Sequence, residues 1–120
     1  MREIKFRVWD KNTKRMWYPV AYDWRDNCAM MKDGFLLYKS DIQQYTGIKD
    51  KNNRSVFEGD IVKYDGIEDG KPYYCVGEIF WNEAYCGWRI REDVYMPIPT
   101  TPWIEVIGNI YENPDLLKGA

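Results

Sequence analysis

An alternation of apolar and polar positions with a period of two dominates the sequence. Apolar residues alternate with charged ones over residues 3–9, which predicts a strand that buries one face. Residues 10–14 have the composition of a turn, because Asp and Asn side chains bond to their own backbone. The alternation resumes over residues 16–20, where Pro19 cannot donate to a sheet and so ends the strand or places it at an edge. The pattern predicts a β-hairpin over residues 3–20.

The middle of the chain predicts further short strands, although residues 21–34 show no clear period. An apolar run at residues 35–38 predicts a buried strand, with one turn of helix as the alternative. Residues 43–48 are expected to be extended, with a turn at Gly47. After a charged loop, a tight turn is expected around Gly59, which supplies a positive φ that alanine adopts only at a cost.

The longest predicted strand covers residues 73–81, after an acidic loop at residues 65–70 that is expected to bend away from the body. Both faces of this strand are largely apolar, which is typical of a central strand that is covered twice. Gly77 within it predicts a bulge or a sharp coil, the device that lets a small sheet curl. A turn at residues 82–84 leads to a returning strand over residues 85–90.

The C-terminal third begins with an irregular crossing over residues 91–102, which contain three prolines. A last strand is predicted over residues 103–107, ended by Gly108. The triplet Asn-Pro-Asp at residues 113–115 has the layout of a helix start, with a cap, a proline at the first position and an acid in the first turn. The sequence therefore predicts a mainly β domain with one short C-terminal helix, and small closed or nearly closed barrels fit its strand spacing best.

Composition excludes several classes of function. The chain has 120 residues, 45% of them hydrophobic and 30% charged, so it predicts one globular domain. It contains no histidine, which removes imidazole as a general base or a metal ligand. Its three cysteines, at positions 28, 75 and 86, form no C-x-x-C pair, and we expect reduced thiols rather than disulfides or a zinc site. No apolar run has membrane-spanning length and the first residues do not resemble a signal peptide, so we expect a cytoplasmic protein without a membrane partner.

The carboxylate pairs are the remaining candidates for catalysis. They are Asp23/Asp26, Glu58/Asp60, Glu68/Asp69 and Glu92/Asp93. Adjacent residues of a strand point to opposite faces, and Asp60 is expected to accept backbone N–H groups in its turn. The chain also lacks the glycine-rich motifs that hold phosphates. We therefore expect no catalytic residue, no cofactor, no metal and no enzymatic activity.

Charge and aromatic content point to binding instead. Residues 1–15 carry a local net charge of +4 in a chain of net charge -2. Twenty aromatic residues exceed what one small core hides, and Trp9 and Trp17 occupy the polar faces of the predicted hairpin. An excess of exposed aromatics suits a protein interface, or a stacking surface for single-stranded nucleic acid. The candidate interaction surface comprises Arg2, Lys5, Arg7, Trp9, Lys14, Arg15 and Trp17. The same residues are also compatible with the solvated side of a strand pair.

Four blocks of the sequence resemble the YopX protein family. They are residues 4–10 (IKFRVWD), 44–51 (QYTGIKDK), 57–62 (FEGDIV) and 105–114 (EVIGNIYENP). They occur in the family's order from one end of the chain to the other. The resemblance implies a protein encoded by a bacteriophage or prophage, and a C-terminal part similar to SH3-type barrels. It carries no catalytic residues and no established biochemical activity.

Together these observations predict a single domain with an N-terminal strand region at residues 1–40 and an SH3-like barrel with a terminal helix at residues 41–120. The motif residues are interpreted as structural: turns at Gly47, Gly59 and Gly108, a turn tied by Asp60, and a helix started by Asn113. The expected function is non-enzymatic and based on protein–protein interaction, with a second copy of the chain or with a phage or host protein in the bacterial cytoplasm. Single-stranded nucleic-acid binding through the basic N-terminal ribbon and exposed aromatics is the alternative.

Overall fold

A computed structural model describes residues 5–38, 40–84, 86–91, 96–97 and 104–117. The chain divides into two compact units, Met1–Tyr45 and Thr46–Ala120. The strands that begin in the first unit are β1 (Phe6–Asp10), β2 (Arg15–Trp17), β3 (Ala21–Asp23), β4 (Cys28–Met30), β5 (Leu36–Tyr38) and β6 (Asp41–Lys49). Those of the second unit are β7 (Ser55–Phe57), β8 (Asp60–Glu68), β9 (Lys71–Asn82), β10 (Gly87–Arg91), β11 (Met96–Pro97) and β12 (Ile104–Asn109), followed by a 3₁₀ turn, Pro114–Leu117. The prediction of a mainly β fold is confirmed.

The first unit contains the predicted hairpin and a small sheet that the sequence did not predict. β1 lies between β2 and β6, and the hairpin turn is held by Asp10, whose carboxylate accepts bonds from the Asn12 backbone N–H and the Thr13 hydroxyl. β2 ends at Trp17, before Pro19, as predicted. The second sheet has the order β3–β4–β5, and β3 and β4 lie in the segment without a clear period. The core of the unit consists of Val8, Ala29, Met31 and Leu37, with Trp17, Tyr22 and Ile42 packed against it.

The second unit is built on a five-stranded antiparallel sheet in the order β11–β10–β9–β8–β12. β9 is the longest strand and lies between β8 and β10, so its predicted central position is confirmed. The expected acidic loop at residues 65–70 is wrong, because β8 continues to Glu68 and turns into β9 through two residues, Asp69 and Gly70, both with positive φ. The core comprises Val56, Val62, Ile79, Ile90, Ile104 and Val106.

Gly59 has its predicted role, whereas Gly47 and Gly77 do not. Gly59 has a φ of +86° in the tight turn before β8, as expected. Gly47 also has a positive φ, +89°, but β6 runs through it without turning, so the turn predicted there is wrong. At Gly77 the pairing of β9 with β8 shows no register shift, which corrects the predicted bulge. A Cβ there would lie 2.5 Å from Cγ2 of Ile90, so this glycine permits a close approach of neighbouring atoms.

The C-terminus differs from the predicted helix. β12 continues through Gly108 to Asn109, with a bulge between Val106 and Gly108, so Gly108 does not end the strand. A Cβ on Gly108 would lie 2.6 Å from Oδ1 of Asn113, an oxygen that accepts the Asn109 backbone N–H. The segment after Asn113 makes only the 3₁₀ turn, which corrects the predicted helix. Four residues are too few to repeat the i to i−4 bonds of an α-helix.

Candidate functional site

Two residues of the predicted interaction surface are buried in β1. Arg7 is 3% exposed, and its Nε donates to Oε1 of Gln43 at 2.8 Å. Trp9 is 8% exposed, so the predicted exposure of this ring is wrong. β1 has a neighbouring strand on each side, and the consecutive residues from Arg7 to Asp10 are all buried, so both faces of the strand are covered although its sequence alternates like that of a half-exposed strand.

Trp17 is also less accessible than predicted. It is half-buried, and its ring stacks on Phe35 with centroids 5.5 Å apart and an interplanar angle of 25°. The Arg15 guanidinium lies 5.2 Å from the centroid of the Trp17 ring. These contacts place the ring in an arginine–tryptophan–phenylalanine stack within the first unit.

The basic residues of the predicted surface are dispersed. Lys14 and Arg15 are exposed at the end of the hairpin, where Lys14 has a φ of +55°. Lys5 is half-buried, with its Nζ 4.4 Å from the centroid of the Tyr45 ring. Arg2 lies outside the described residues. Whether this ribbon binds any partner stays a prediction.

The exposed apolar surface that the structure reveals lies elsewhere, on the sheet β3–β4–β5. The register places Ala21, Met30 and Leu36 in one row, and the next row on the same face is Asp23, Cys28 and Tyr38. We call these six residues the outer face. Of its larger members, Met30 is 44%, Leu36 40% and Tyr38 60% exposed. Of the nine exposed large hydrophobic residues among those described, seven lie between positions 18 and 38.

The inner face of the same sheet explains why the strands form. Tyr22, Ala29 and Leu37 alternate with the outer residues, and Ala29 and Leu37 are buried in the core of the first unit. The apolar run at residues 35–38 therefore forms a strand as predicted, but only Leu37 is buried. A continuous apolar run gives no periodic signal that separates a half-exposed strand from a buried one.

The outer face has an acidic end. Asp23 accepts the backbone N–H groups of Arg25 and Asp26 in the β3–β4 turn. The pKa of the Tyr38 hydroxyl is raised above its usual value, first by a hydrogen bond and an electrostatic interaction with Cys28, then by burial and by the carboxylates of Asp26 and Asp23. The register places Asp23 opposite Cys28 and Cys28 opposite Tyr38, so Asp23 and Tyr38 lie in one row at this end of the sheet.

The opposite end of the outer face is the β4–β5 turn. Lys32 is exposed there, beside Asp33, whose Oδ1 accepts the Phe35 backbone N–H at 3.0 Å. Met31 closes the turn by donating its N–H to the carbonyl of Phe35. The carboxylate of Asp33 is thus bonded into the turn, whereas Lys32 adds an exposed positive charge.

A further aromatic group lies at the β3–β4 turn. Trp24 is 62% exposed, with its ring centroid 5.4 Å from that of Phe6 in an edge-on arrangement and 4.7 Å from that of Tyr22. The exposed aromatic side chains of the first unit thus belong mainly to residues that the periodicity did not single out.

The buried aspartates among the described residues accept hydrogen bonds from backbone N–H groups. Asp60 accepts the Phe57 N–H at 2.8 Å, so its predicted role in tying the turn is confirmed. Asp50 is 3% exposed and accepts three backbone N–H groups, those of Asn52, Arg54 and Val106, each at 2.9 Å. Burial alone raises the pKa of Asp50, but these donors and the Arg54 charge together lower it below its usual value.

Two glutamates of the second unit have shifted pKa values for different reasons. Burial raises the pKa of Glu78; the charge of Arg91 opposes this shift and that of Glu58 adds to it. At Glu105 partial burial raises the pKa, but contacts with Lys51 and Lys63, each with Nζ 3.4 Å from Oε1, lower it overall.

Thiols, candidate metal ligands and helices are the remaining features of the described residues. Cys28 and Cys86 are free thiols, the first buried and the second exposed. Among the described residues, no three His, Cys, Asp or Glu side chains group closely enough to hold a metal ion. In the same ranges no helix is long and apolar enough to cross a membrane.

Comparisons with known proteins found a matching family model and a similar solved structure. A family model described as YopX protein matches residues 5–118. The crystal structure of protein EF1440 from Enterococcus faecalis is similar to this chain, with 26% identity and a TM-score of 0.67. The match covers 98% of this chain and 99% of that chain. No curated protein matches.

Proposed function

The chain belongs to the YopX protein family, and from this premise we propose that it is a non-enzymatic protein that acts by binding protein, a second copy of itself included. The proposal extends to a phage or prophage origin and to action in the bacterial cytoplasm. It also retains an SH3-like barrel as the description of the second unit, since this unit is built on a five-stranded antiparallel sheet.

The exposed apolar outer face is the observation that carries the proposal. Clustered exposed apolar side chains on a small protein are typical of interaction sites, whereas scattered ones are ordinary. Here Met30, Leu36 and Tyr38 share one face of one sheet. Tyrosine and methionine are enriched at protein interfaces relative to the rest of the surface, and tyrosine buries a large area at low entropic cost.

The carboxylates supply a second argument. A catalytic acid or base needs lone pairs or protons directed at a substrate. The carboxylates of Asp10, Asp50 and Asp60 instead accept bonds from the protein itself, and Glu105 is paired with two lysines. This distribution favours structural roles for these groups.

A photo-cross-linking experiment tests the proposal. Benzoylphenylalanine is introduced at Tyr38 on the outer face and, as the control, at Glu83, an exposed turn residue of the second unit. Both variants are produced in bacteria and irradiated, and the adducts are identified by mass spectrometry. We expect protein adducts at position 38 and few at position 83. Equal yields at the two positions, or none at 38, would refute the proposal.

The same experiment separates the alternative function. Adducts at position 38 that are destroyed by nuclease would favour the binding of single-stranded nucleic acid. The geometry favours this alternative less, because Trp9 is buried and the Trp17 ring already stacks on Phe35, so neither offers a fully open platform for a base.

A further inference from the structure

The outer face ends at a strand edge. β5 is the terminal strand of the sheet β3–β4–β5, and within the described part of the chain no strand lies on its outer side. The two end residues of β5, Leu36 and Tyr38, are both apolar or aromatic and both exposed. Edge strands are normally protected by charges, prolines or bulges, because their open backbone groups recruit other strands.

The other edge of this sheet and the edge of the hairpin differ from β5. The exposed ends of β3 are Ala21 and the charged Asp23. β2 contains Arg15 and is followed by Pro19 two residues after its end. Both edges therefore carry features that discourage pairing, which β5 does not have within its three residues.

We propose that two copies of this chain associate through β5, paired antiparallel about a two-fold axis at Leu37, to form a continuous six-stranded sheet. The proposal rests on the proposed function and names the partner, a second copy. In this register Leu36 lies opposite the partner's Tyr38, and Tyr38 lies opposite the partner's Leu36. Both pairs fall on the outer face, so each copy covers the exposed side chains of the other.

Charge at the two ends of the sheet supports this arrangement. The β3–β4 turn carries Asp23 and Asp26, with Arg25 between them, and the β4–β5 turn carries the exposed Lys32. A two-fold axis reverses the partner, so Lys32 of one copy reaches the end of the joint sheet where the partner's Asp26 lies. Asp33 lies beside Lys32 and partly offsets its charge; the attraction of Lys32 to the partner's acidic β3–β4 turn still favours the antiparallel register over a parallel one.

Sedimentation velocity over a concentration series tests the proposal. We expect a reversible dimer of the wild-type chain, and about a tenfold or greater rise in its dissociation constant for Leu36→Lys and for Tyr38→Lys. Met30→Lys is the matched control, because Met30 lies on the same face but in the central strand β4. An effect of Met30→Lys as large as that of Leu36→Lys would indicate face-to-face docking and overturn the edge pairing. Thermal unfolding of each variant shows whether the fold is retained.

Charge reversal tests the orientation. Lys32→Glu alone is expected to weaken the dimer, and Lys32→Glu combined with Asp26→Lys is expected to restore it. Failure of the double variant to restore the dimer would contradict the antiparallel alignment.

Disulfide trapping tests the register directly. In a background of Cys28→Ala, Cys75→Ala and Cys86→Ser, which removes the native thiol opposite position 38, a mixture of Leu36→Cys and Tyr38→Cys chains is expected to cross-link more rapidly than either chain alone, because only the mixed pair brings the two thiols opposite each other. Equal rates in all three samples would overturn the register.

Failure of this inference is distinguishable from failure of the proposed function. A chain that stays monomeric at every concentration, or a dimer that Leu36→Lys leaves unchanged, overturns pairing through β5. Photo-adducts at position 38 with a different protein would still support the proposed function. If the chain forms no dimer through β5 and gives no protein adducts at position 38, both proposals are overturned.

Discussion

The carboxylate of Asp50 is expected to stabilise the second unit more than any exposed acid. It joins the loop after β6 to β12, since Oδ1 accepts the N–H groups of Asn52 and Arg54 and Oδ2 accepts that of Val106. Asp50→Asn keeps the size of the side chain but replaces one acceptor oxygen with an N–H₂ group. The new N–H₂ group then points either at the loop N–H groups or at the Val106 N–H, and in both orientations a donor faces a donor.

The magnitude follows from these contacts. A hydrogen bond to a charged group contributes about 1.5–3 kcal/mol, and a buried donor without an acceptor costs about 1–3 kcal/mol. Since one of the two sides retains an acceptor, we expect Asp50→Asn to lower the free energy of unfolding by about 2–4 kcal/mol. Urea unfolding measures the change. Asp69→Asn is the control: it removes the same charge at an exposed position with a φ of +52°, which asparagine also adopts.

The pH dependence gives a second measure of the same carboxylate. The pKa of Asp50 is lowered in the folded chain from an ordinary value of 3.8. Its ionised form therefore stabilises the fold at pH values above 3.8, and this contribution is lost as the pH falls through the lower, folded-state pKa. The difference between wild type and Asp50→Asn is expected to shrink over that acidic range. A difference below about 0.5 kcal/mol at neutral pH, or one that does not change on acidification, would refute the reasoning.

Three further predictions follow from burial. Gly77→Ala is expected to lower stability by about 1–3 kcal/mol, because the new Cβ meets the Ile90 side chain; an unchanged melting temperature would contradict this. Trp9→Ala is expected to cost about 3–5 kcal/mol in urea unfolding, as for a core aromatic, and a near-neutral result would mean that the ring is exposed after all. Under native conditions a thiol reagent is expected to label Cys86 before Cys28, as mapped by peptide mass; the reverse order would contradict the assigned burial.

Several turns were predicted correctly from the sequence, whereas those expected at Gly47 and Gly108 were not, because a strand runs through each glycine. Asp10 ties the first hairpin, Asp60 and Gly59 form the turn before β8, and Pro19 follows the end of β2. Each depends on a residue that acts on its own backbone or within a few positions. Local chemistry of this kind is visible in a single sequence.

The candidate surface was predicted less well, for a reason that Trp9 and Tyr38 illustrate. Trp9 occupies a polar-face position in an alternating strand, yet strands on both sides and cover on both faces bury it. Tyr38 belongs to a continuous apolar run, yet its side of the strand is open. Periodicity reports which residues share a face, but it does not report whether another element covers that face.

The sequence by itself determined the β class, the turns at Asp10 and Gly59, and which residues share a face in the alternating strands, because these depend on backbone geometry and on the two-residue repeat. The tertiary structure decided which faces are buried. It placed β1 inside one sheet and left β5 at the end of another. Burial depends on which distant segments become neighbours, and in this chain that pairing buried Arg7 and Trp9 of the predicted binding surface and left an unpredicted apolar face exposed.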